Sequence, residues 1–230
     1  CNSANRPELE RSYIDMLRRN MVDGVIVNSL NIGAEAYAEM GLSLVGIDCD
    51  LGEASVQIAS DSYSIGELAT RRLIDDGCSR ILCLRSNSRM RMPANKRTDA
   101  YLDVVEQAGL PALVREVEFV KPDDEKSAVV AKILDENPDI DGIFAGDDTM
   151  AAICLNIMKQ RGLSAPDDIK VVGADGARRT MTFMPDLTTV RQDIDRIGEL
   201  AAQSIIALVN GDNPESNIKL PVELIEGKTA

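Results

Sequence analysis

Apolar positions along the chain switch repeatedly between a helical period and short continuous runs. Leu9, Tyr13 and Leu17, with Ile14 beside them, recur at helical spacing, and Gly24 then introduces Val25-Ile26-Val27. That stretch predicts an amphipathic helix followed by a short buried strand. The phrase repeats in "AEAYAEMGLSLVGID", a short helix capped by Gly41 and a strand over Leu44–Ile47. It repeats again where Ser60, Asp61 and Ser62 offer N-caps, Gly77 closes the helix and Ile81–Leu84 forms the strand. "NKRTDAYLDVVEQAGL" predicts a helix closed by Gly109, followed by the strand-like "VREVEFV". Beyond it, a helix stopped by Pro138 precedes Gly142–Ala145, and a helix capped by Gly162 with a turn at Pro166 precedes Lys170–Gly173. Thr188–Val190, a helix from Ile194 to the Gly211 cap, and "IKLPVELIEG" as a strand pair or bent strand complete the pattern. Strands alternating with helices of roughly 10–15 residues are the signature of an α/β chain with parallel sheets. Right-handed crossovers follow, and ligands in such folds bind beyond the carboxyl ends of the strands.

Composition narrows the picture. A chain of 230 residues with 44% hydrophobic positions buries a sizeable core without disulfides or metals. Aromatics are 3% and Trp is absent, so that core must be built from Ala, Val, Ile, Leu and Met. The net charge of −13, from 25 basic and 38 acidic residues, repels phosphate backbones and anionic membranes. His is absent, which excludes a His triad, a His general base and a His metal ligand. The cysteines are Cys1, Cys49, Cys78, Cys83 and Cys154, an odd number without a CxxC pair, which fits buried free thiols in a reducing cytoplasm. No apolar run approaches the ~18 residues of a membrane span, and no signal peptide is visible. The chain opens on Cys1 without Met, so residues are expected before it.

Candidate chemistry gathers where predicted strands end. Asn28 follows "GVIV", Asp48 follows "LVGI", Arg85 follows "ILCL", Asp147 and Asp148 follow "GIFAG", and Asp175 follows "VVGA". Helix N-capping accounts well for Asp148 and in part for Asp175, and less well for Asn28 and Arg85. Arg91 and Arg97 lie in "SRMRMPANKRTDAY"; a guanidinium there can grip vicinal hydroxyls or a carboxylate, or simply balance nearby acids in a solvated loop. No GxGxxG or GxxxxGK[ST] occurs, and no catalytic constellation emerges. The acid pairs Asp75-Asp76, Asp123-Asp124 and Asp167-Asp168 read as solvated caps. Asp48, Asp147 and Asp175 keep open a Mg²⁺-dependent hydrolase as a distant alternative.

Two stretches, "DGIFAGDDTMAAICLNIMKQRGLSAPDDIKVVGADG" and "PDLTTVRQDIDRIGELAAQSI", resemble the effector-binding core of the lactose/galactose repressor family (LacI/GalR). "SDSYSIGELATRRLIDDGCSRI" and the opening "CNSANRPELERSYIDMLRRNMVDGVIV" resemble its earlier half, so the likeness covers essentially the whole chain. The sequence around "VVGADGARRTMTFMPDLTTVRQ" is most similar to the sucrose-operon-repressor branch. The resemblance implies a periplasmic-binding-protein-like type I fold: two Rossmann-like lobes with parallel sheets joined by three hinge crossings. The crossings are expected near Ile58–Asp61, Thr189–Asp193 and Asn217–Leu220. Residues 1–60 plus 191–216 would make the N-terminal lobe, without its first strand and helix, and 61–190 plus 217–230 the C-terminal lobe.

The same resemblance assigns ligand contacts. Arg97 opens the family's arginine motif, here Arg97-Thr98-Asp99-Ala100-Tyr101, in which Thr98 and Ala100 replace Leu and Gly. Arg91, Asp147, Asp175, Asp48, Asn28 and Gln192 match further effector positions, and Tyr63 is counted with them. Asp147 stands where the family carries Asn and so lacks the amide donor. Within "LTTVRQ", Gln192 is the expected ligand contact, while Arg191 faces solvent or the other lobe. The implied function is the sugar-binding and dimerisation core of a cytoplasmic transcriptional regulator. It needs no cofactor and is not an enzyme. It is expected to be a homodimer away from membranes, reaching operator DNA only through a helix-turn-helix outside this chain. A secreted sugar-binding protein of a transporter shares the fold and is the nearest alternative. The unpaired cysteines and the "LTTVRQ" segment speak against it.

Overall fold

A computed structural model describes residues 1–3, 6–19, 22–29, 37, 41–49, 51–52, 55–86, 93–118 and 121–230. The chain divides into two compact units. Residues 1–60 and 193–220 form the bulk of the first, and residues 61–86, 94–192 and 221–230 the bulk of the second.

The first unit contains α1 (Pro7–Arg19), β1 (Gly24–Val27), β2 (Ser43–Ile47) and β3 (Val56–Ser60), with β9 (Asn217–Leu220) added from late in the chain. Its sheet runs β1-β2-β3-β9, all parallel, with Ile58 opposite Ile218. Helix α7 (Ile194–Val209) lays Ile197 and Ala201 onto Val45, Val56 and Ile58. A second cluster joins Ile14 of α1 to Val27, Tyr37, Leu44, Cys49 and Leu51. The short helix expected over residues 34–40 lies outside the described residues except for Tyr37, which is helical.

The second unit is larger. In chain order it holds α2 (Ser62–Asp75), β4 (Ile81–Arg85), α3 (Lys96–Gln107), β5 (Leu113–Glu116), α4 (Asp123–Glu136), β6 (Gly142–Ala145), α5 (Asp148–Gln160), β7 (Lys170–Asp175), α6 (Arg178–Phe183), β8 (Thr188–Gln192) and β10 (Val222–Ile225). Sheet order is β10-β8-β7-β6-β4-β5, parallel except that β10 runs antiparallel to β8. Strands buried on both faces read as continuous apolar runs, and β6 (Gly-Ile-Phe-Ala) is buried at all four positions. One cluster sets Val130, Ile133, Cys154, Ile157 and Met158 of α4 and α5 against Leu82, Ile143 and Val171. Another sets Ile65, Ala69 and Leu73 of α2 and Tyr101 and Val105 of α3 against Ile81, Cys83, Phe144 and Val172. The core is therefore largely aliphatic, and one of its few aromatics also carries a polar duty: the buried Tyr101 hydroxyl donates to Ile81 O at 2.7 Å and accepts from Leu113 N at 2.8 Å.

The helix-ending glycines expected at 41, 77, 109, 162 and 211 all have positive φ, as a left-handed C-cap requires. Cys49, Cys78, Cys83 and Cys154 are buried free cysteines. Burial pushes the Cys83 and Cys154 thiols up to about 12, which keeps them protonated and unreactive.

Three expectations shift. Residues 191–192 extend β8 and pair with Glu223 and Val222 of β10, so they belong to the second unit and not to the first. Residues 217–220 pair with β3 and belong to the first unit, which moves that boundary to Leu220/Pro221. "IKLPVELIEG" is thus two strands in two different sheets, divided at Pro221, which has no N–H to give to either ladder.

Candidate functional site

The carboxyl ends of β6, β7 and β8 in the second unit bring together residues far apart in sequence. Arg97, in the first turn of α3, is 9% exposed. Its Nη1 donates to Gly146 O at 2.5 Å and its Nη2 to Asp175 Oδ1 at 3.1 Å. Gln192 Nε2 donates to the same Asp175 oxygen at 2.6 Å. The Arg97 Nε–H is buried and has no partner among the described residues. Burial raises the Asp175 carboxyl above its ordinary value, opposed by the Arg97 guanidinium and raised further by Asp147 nearby.

Local sequence explains why Arg97 can reach this point. Gly66 of α2 meets the Arg97 backbone: a Cβ there would lie 2.0 Å from Arg97 O. Only glycine lets the two helices approach that closely. Asp175 has φ 112 and Gly176 φ 58, so the chain turns sharply as β7 ends and presents the carboxyl beside the guanidinium. Three of the expected contacts, Arg97, Asp175 and Gln192, therefore form one hydrogen-bonded cluster.

The neighbouring aspartates divide their work differently from the expectation. Asp147, not Asp148, is the N-cap of α5 and accepts from Met150 N at 2.7 Å. Asp148 turns inward and is 4% exposed. It accepts from Thr189 Oγ1 at 2.6 Å and from Gly176 N at 2.8 Å. Burial pushes its carboxyl up to about 6, with the Thr189 hydrogen bond pulling the other way. Asp175 does not cap α6 either; that N-cap is Ala177. Gly146 O and Thr189 were missed from sequence, and Asp148, which stands among the strand-end candidates, was read there as the helix cap that Asp147 provides.

Other candidates lie elsewhere. The Tyr63 hydroxyl donates to Asp103 Oδ2 at 2.7 Å, bridging α2 and α3. Arg85 pairs with Glu116 at 2.7 Å across the β4–β5 register. Arg191 pairs with Glu223 at 2.6 Å with both side chains at least half exposed, as its solvent-facing role requires. In the first unit Asn28 Nδ2 donates to Ile47 O at 3.0 Å, tying the ends of β1 and β2. Asp48 has φ 49, and its N donates to Ile58 O at 3.0 Å. Arg91 lies outside the described residues.

The sequence profile of the periplasmic binding protein-like domain matches residues 70–230. A sucrose operon repressor of Pediococcus pentosaceus is 34% identical over all of this chain and 71% of its own length. The chain belongs to the LacI family of transcriptional regulators. A ribose operon repressor of Halalkalibacterium halodurans is 30% identical over all of this chain and 69% of its own length. Among solved structures, a transcriptional regulator CelR–cellobiose complex is 26% identical with a TM-score of 0.87, covering 98% of this chain and 71% of that one. A LacI family regulator from Enterococcus faecium with bound ribose is 21% identical with a TM-score of 0.85, covering 95% of this chain and 83% of that one, and shares the fold. The relatives join a chain-wide likeness to a LacI-family core whose second unit carries a buried arginine, a carboxylate and a carboxamide at the strand ends.

Proposed function

We propose that this LacI-family chain is the effector-binding and dimerisation core of a bacterial transcriptional regulator, and that a sugar is its effector. The observation that carries the reading is the Arg97–Asp175–Gln192 cluster at the carboxyl ends of the strands. A sugar offers vicinal hydroxyls that both donate and accept. A guanidinium and a carboxamide supply donors, and a carboxylate supplies acceptors, in the arrangement polyols need. The Arg97 Nε–H, buried without a partner among the described residues, adds a further donor for a ligand. The family resemblance adds Asp147 and Tyr63 of the same unit, and separately Asn28, Asp48 and Arg91, as further candidate contacts. Sugar binding would bias lobe closure, and closure would bias operator affinity through a helix-turn-helix outside this chain. Linkage is reciprocal, so operator DNA would change sugar affinity by the same factor. The repressor relatives support a cytoplasmic, non-enzymatic role, and no helix among the described residues is long and apolar enough to cross a membrane. The homodimer is proposed on the same family likeness.

The periplasmic sugar-binding alternative is disfavoured by the repressor relatives. The metal-hydrolase alternative is disfavoured because Asp175 already holds a guanidinium, which repels a cation.

A thermal-shift screen with sucrose, fructose, glucose, ribose and cellobiose tests the reading. A true effector at a hundred times its Kd stabilises the fold by about 2.7 kcal/mol. Stabilisation of the wild type, lost in Arg97→Ala, is the expected outcome. A flat panel, or Mg²⁺-dependent turnover of a sugar phosphate, would remove it.

A further inference from the structure

Beneath the Arg97–Asp175–Gln192 cluster lies a fourth side chain that does not belong to it. Asp148 is nearly fully buried, and both of its oxygens are committed to parts of the chain that shape the cluster. Oδ2 takes the N–H of Gly176, the residue after Asp175. Oδ1 takes the hydroxyl of Thr189, three residues before Gln192 on β8 and itself fully buried. The sheet makes room for this carboxyl: a Cβ on Gly173 of β7 would lie 2.5 Å from Asp148 Oδ1, so a larger residue at 173 would evict it.

The turn that Asp148 holds is the one least able to hold itself. Asp175 and Gly176 both have positive φ, and for a residue with a Cβ that conformation is costly unless the surroundings impose it. The Gly176 N–H bond fixes the far side of that turn. The Thr189 bond fixes the strand from which Gln192 reaches the Asp175 carboxyl. We infer that Asp148 is a positioning residue of the ligand site, clamping the β7–α6 turn to β8 so that Asp175 is presented jointly to Arg97 and Gln192. It touches neither Arg97 nor Gln192 among the described hydrogen bonds and acts through Asp175. Among the described residues the charged groups facing it are Asp147 and Asp175 and no salt bridge reaches it, so it works through its two hydrogen bonds.

This inference rests on the proposed sugar site, and its test reads the unliganded protein first. Asp148→Ala removes both acceptors. Asp148→Asn keeps an acceptor for Gly176 N–H, and its amide can donate to Thr189 once that hydroxyl rotates. Thr189→Val removes one bond at constant shape, and it serves if Asp148→Ala fails to fold. Amide hydrogen exchange at Gly176 and the side-chain amide signal of Gln192 are followed by NMR, with Val172 in the middle of β7 as an internal reference. The clamp predicts exchange at Gly176 at least tenfold faster in Asp148→Ala, a displaced Gln192 signal in Asp148→Ala and Thr189→Val, an unchanged Val172, and recovery of both readouts in Asp148→Asn. Unchanged Gly176 and Gln192 signals in the alanine variant overturn it, as does an asparagine variant that behaves like alanine. The variants are then titrated with whichever sugar of the panel stabilises the wild type, and at least tenfold weaker binding is expected for Asp148→Ala and not for Asp148→Asn. A wild type that answers no sugar removes the sugar reading, and the two NMR readouts still decide the clamp.

Discussion

Two arginine–carboxylate pairs lie side by side at the end of the larger sheet, and their lengths mislead about their worth. Arg191 pairs with Glu223 at 2.6 Å, while Arg97 pairs with Asp175 at 3.1 Å. In the β7–β8 register Asp175 stands opposite Arg191, yet it bonds to Arg97 from α3. The shorter pair has side chains 50% and 65% exposed, and the longer one 11% and 34%. Water screens the first and supplies substitutes for either partner, so it contributes roughly 0–1 kcal/mol. The second has lost most of its water around the guanidinium, so removing one partner leaves the other poorly solvated. Environment, not distance, separates a strand-edge contact from the buried pair of the proposed ligand site.

That contrast can be broken in several ways. The largest effect belongs to Arg97→Ala: sugar affinity is expected to fall about a hundredfold or more, with the sugar-induced thermal shift abolished and the far-UV spectrum retained. Next is Gly66→Ala, which attacks the pair from below by forcing α2 away from the Arg97 backbone. Overpacking of this kind costs about 1–3 kcal/mol, read as a lower urea midpoint. A wild-type midpoint would show that the α2–α3 contact relaxes freely.

A pH series sharpens the burial argument. The folded-state value of Asp148, about 6, lies above its ordinary 3.8. Its contribution to stability is therefore fully present below the ordinary value and is lost as pH rises through about 6. Wild type should lose stability relative to Asp148→Asn between pH 4 and 7, by on the order of 2 kcal/mol. Parallel curves would place the carboxyl in a wetter setting. Gln192→Ala removes one hydrogen bond to Asp175 and should weaken the sugar by about 1 kcal/mol, roughly fivefold. Arg191→Ala closes the series: a change below about 0.5 kcal/mol in stability and none in sugar affinity.

Much of this was legible in the sequence wherever a local pattern decides. Gly142–Ala145 was read at its true bounds because four apolar residues follow a Pro stop and precede two aspartates. The alternation of strands and helices, the glycine caps, and Arg97, Asp175 and Gln192 followed in the same way or from family likeness. What escaped depends on distant partners. Val56–Ser60 carries Gln and Ser in a short run and becomes a strand because β2 and β9 flank it. The helix Arg178–Phe183 has six residues and no buried face to produce a period. Which of Asp147 and Asp148 turns inward is set by the space at Gly173 and the hydroxyl of Thr189, and neither is visible beside the aspartates in the sequence.

The strand pair divided at Pro221 has a consequence for how the protein is made. β9 finishes one sheet at its β3 edge and β10 finishes the other at its β8 edge, and a single short stretch supplies both. On the ribosome, both sheets wait for that stretch with an open edge apiece. Neither of the two sheets can take up its edge strand before that stretch has emerged. A chain stalled before residue 217 would leave each sheet short of one strand, so completion of the two sheets is coupled through residues 217–225.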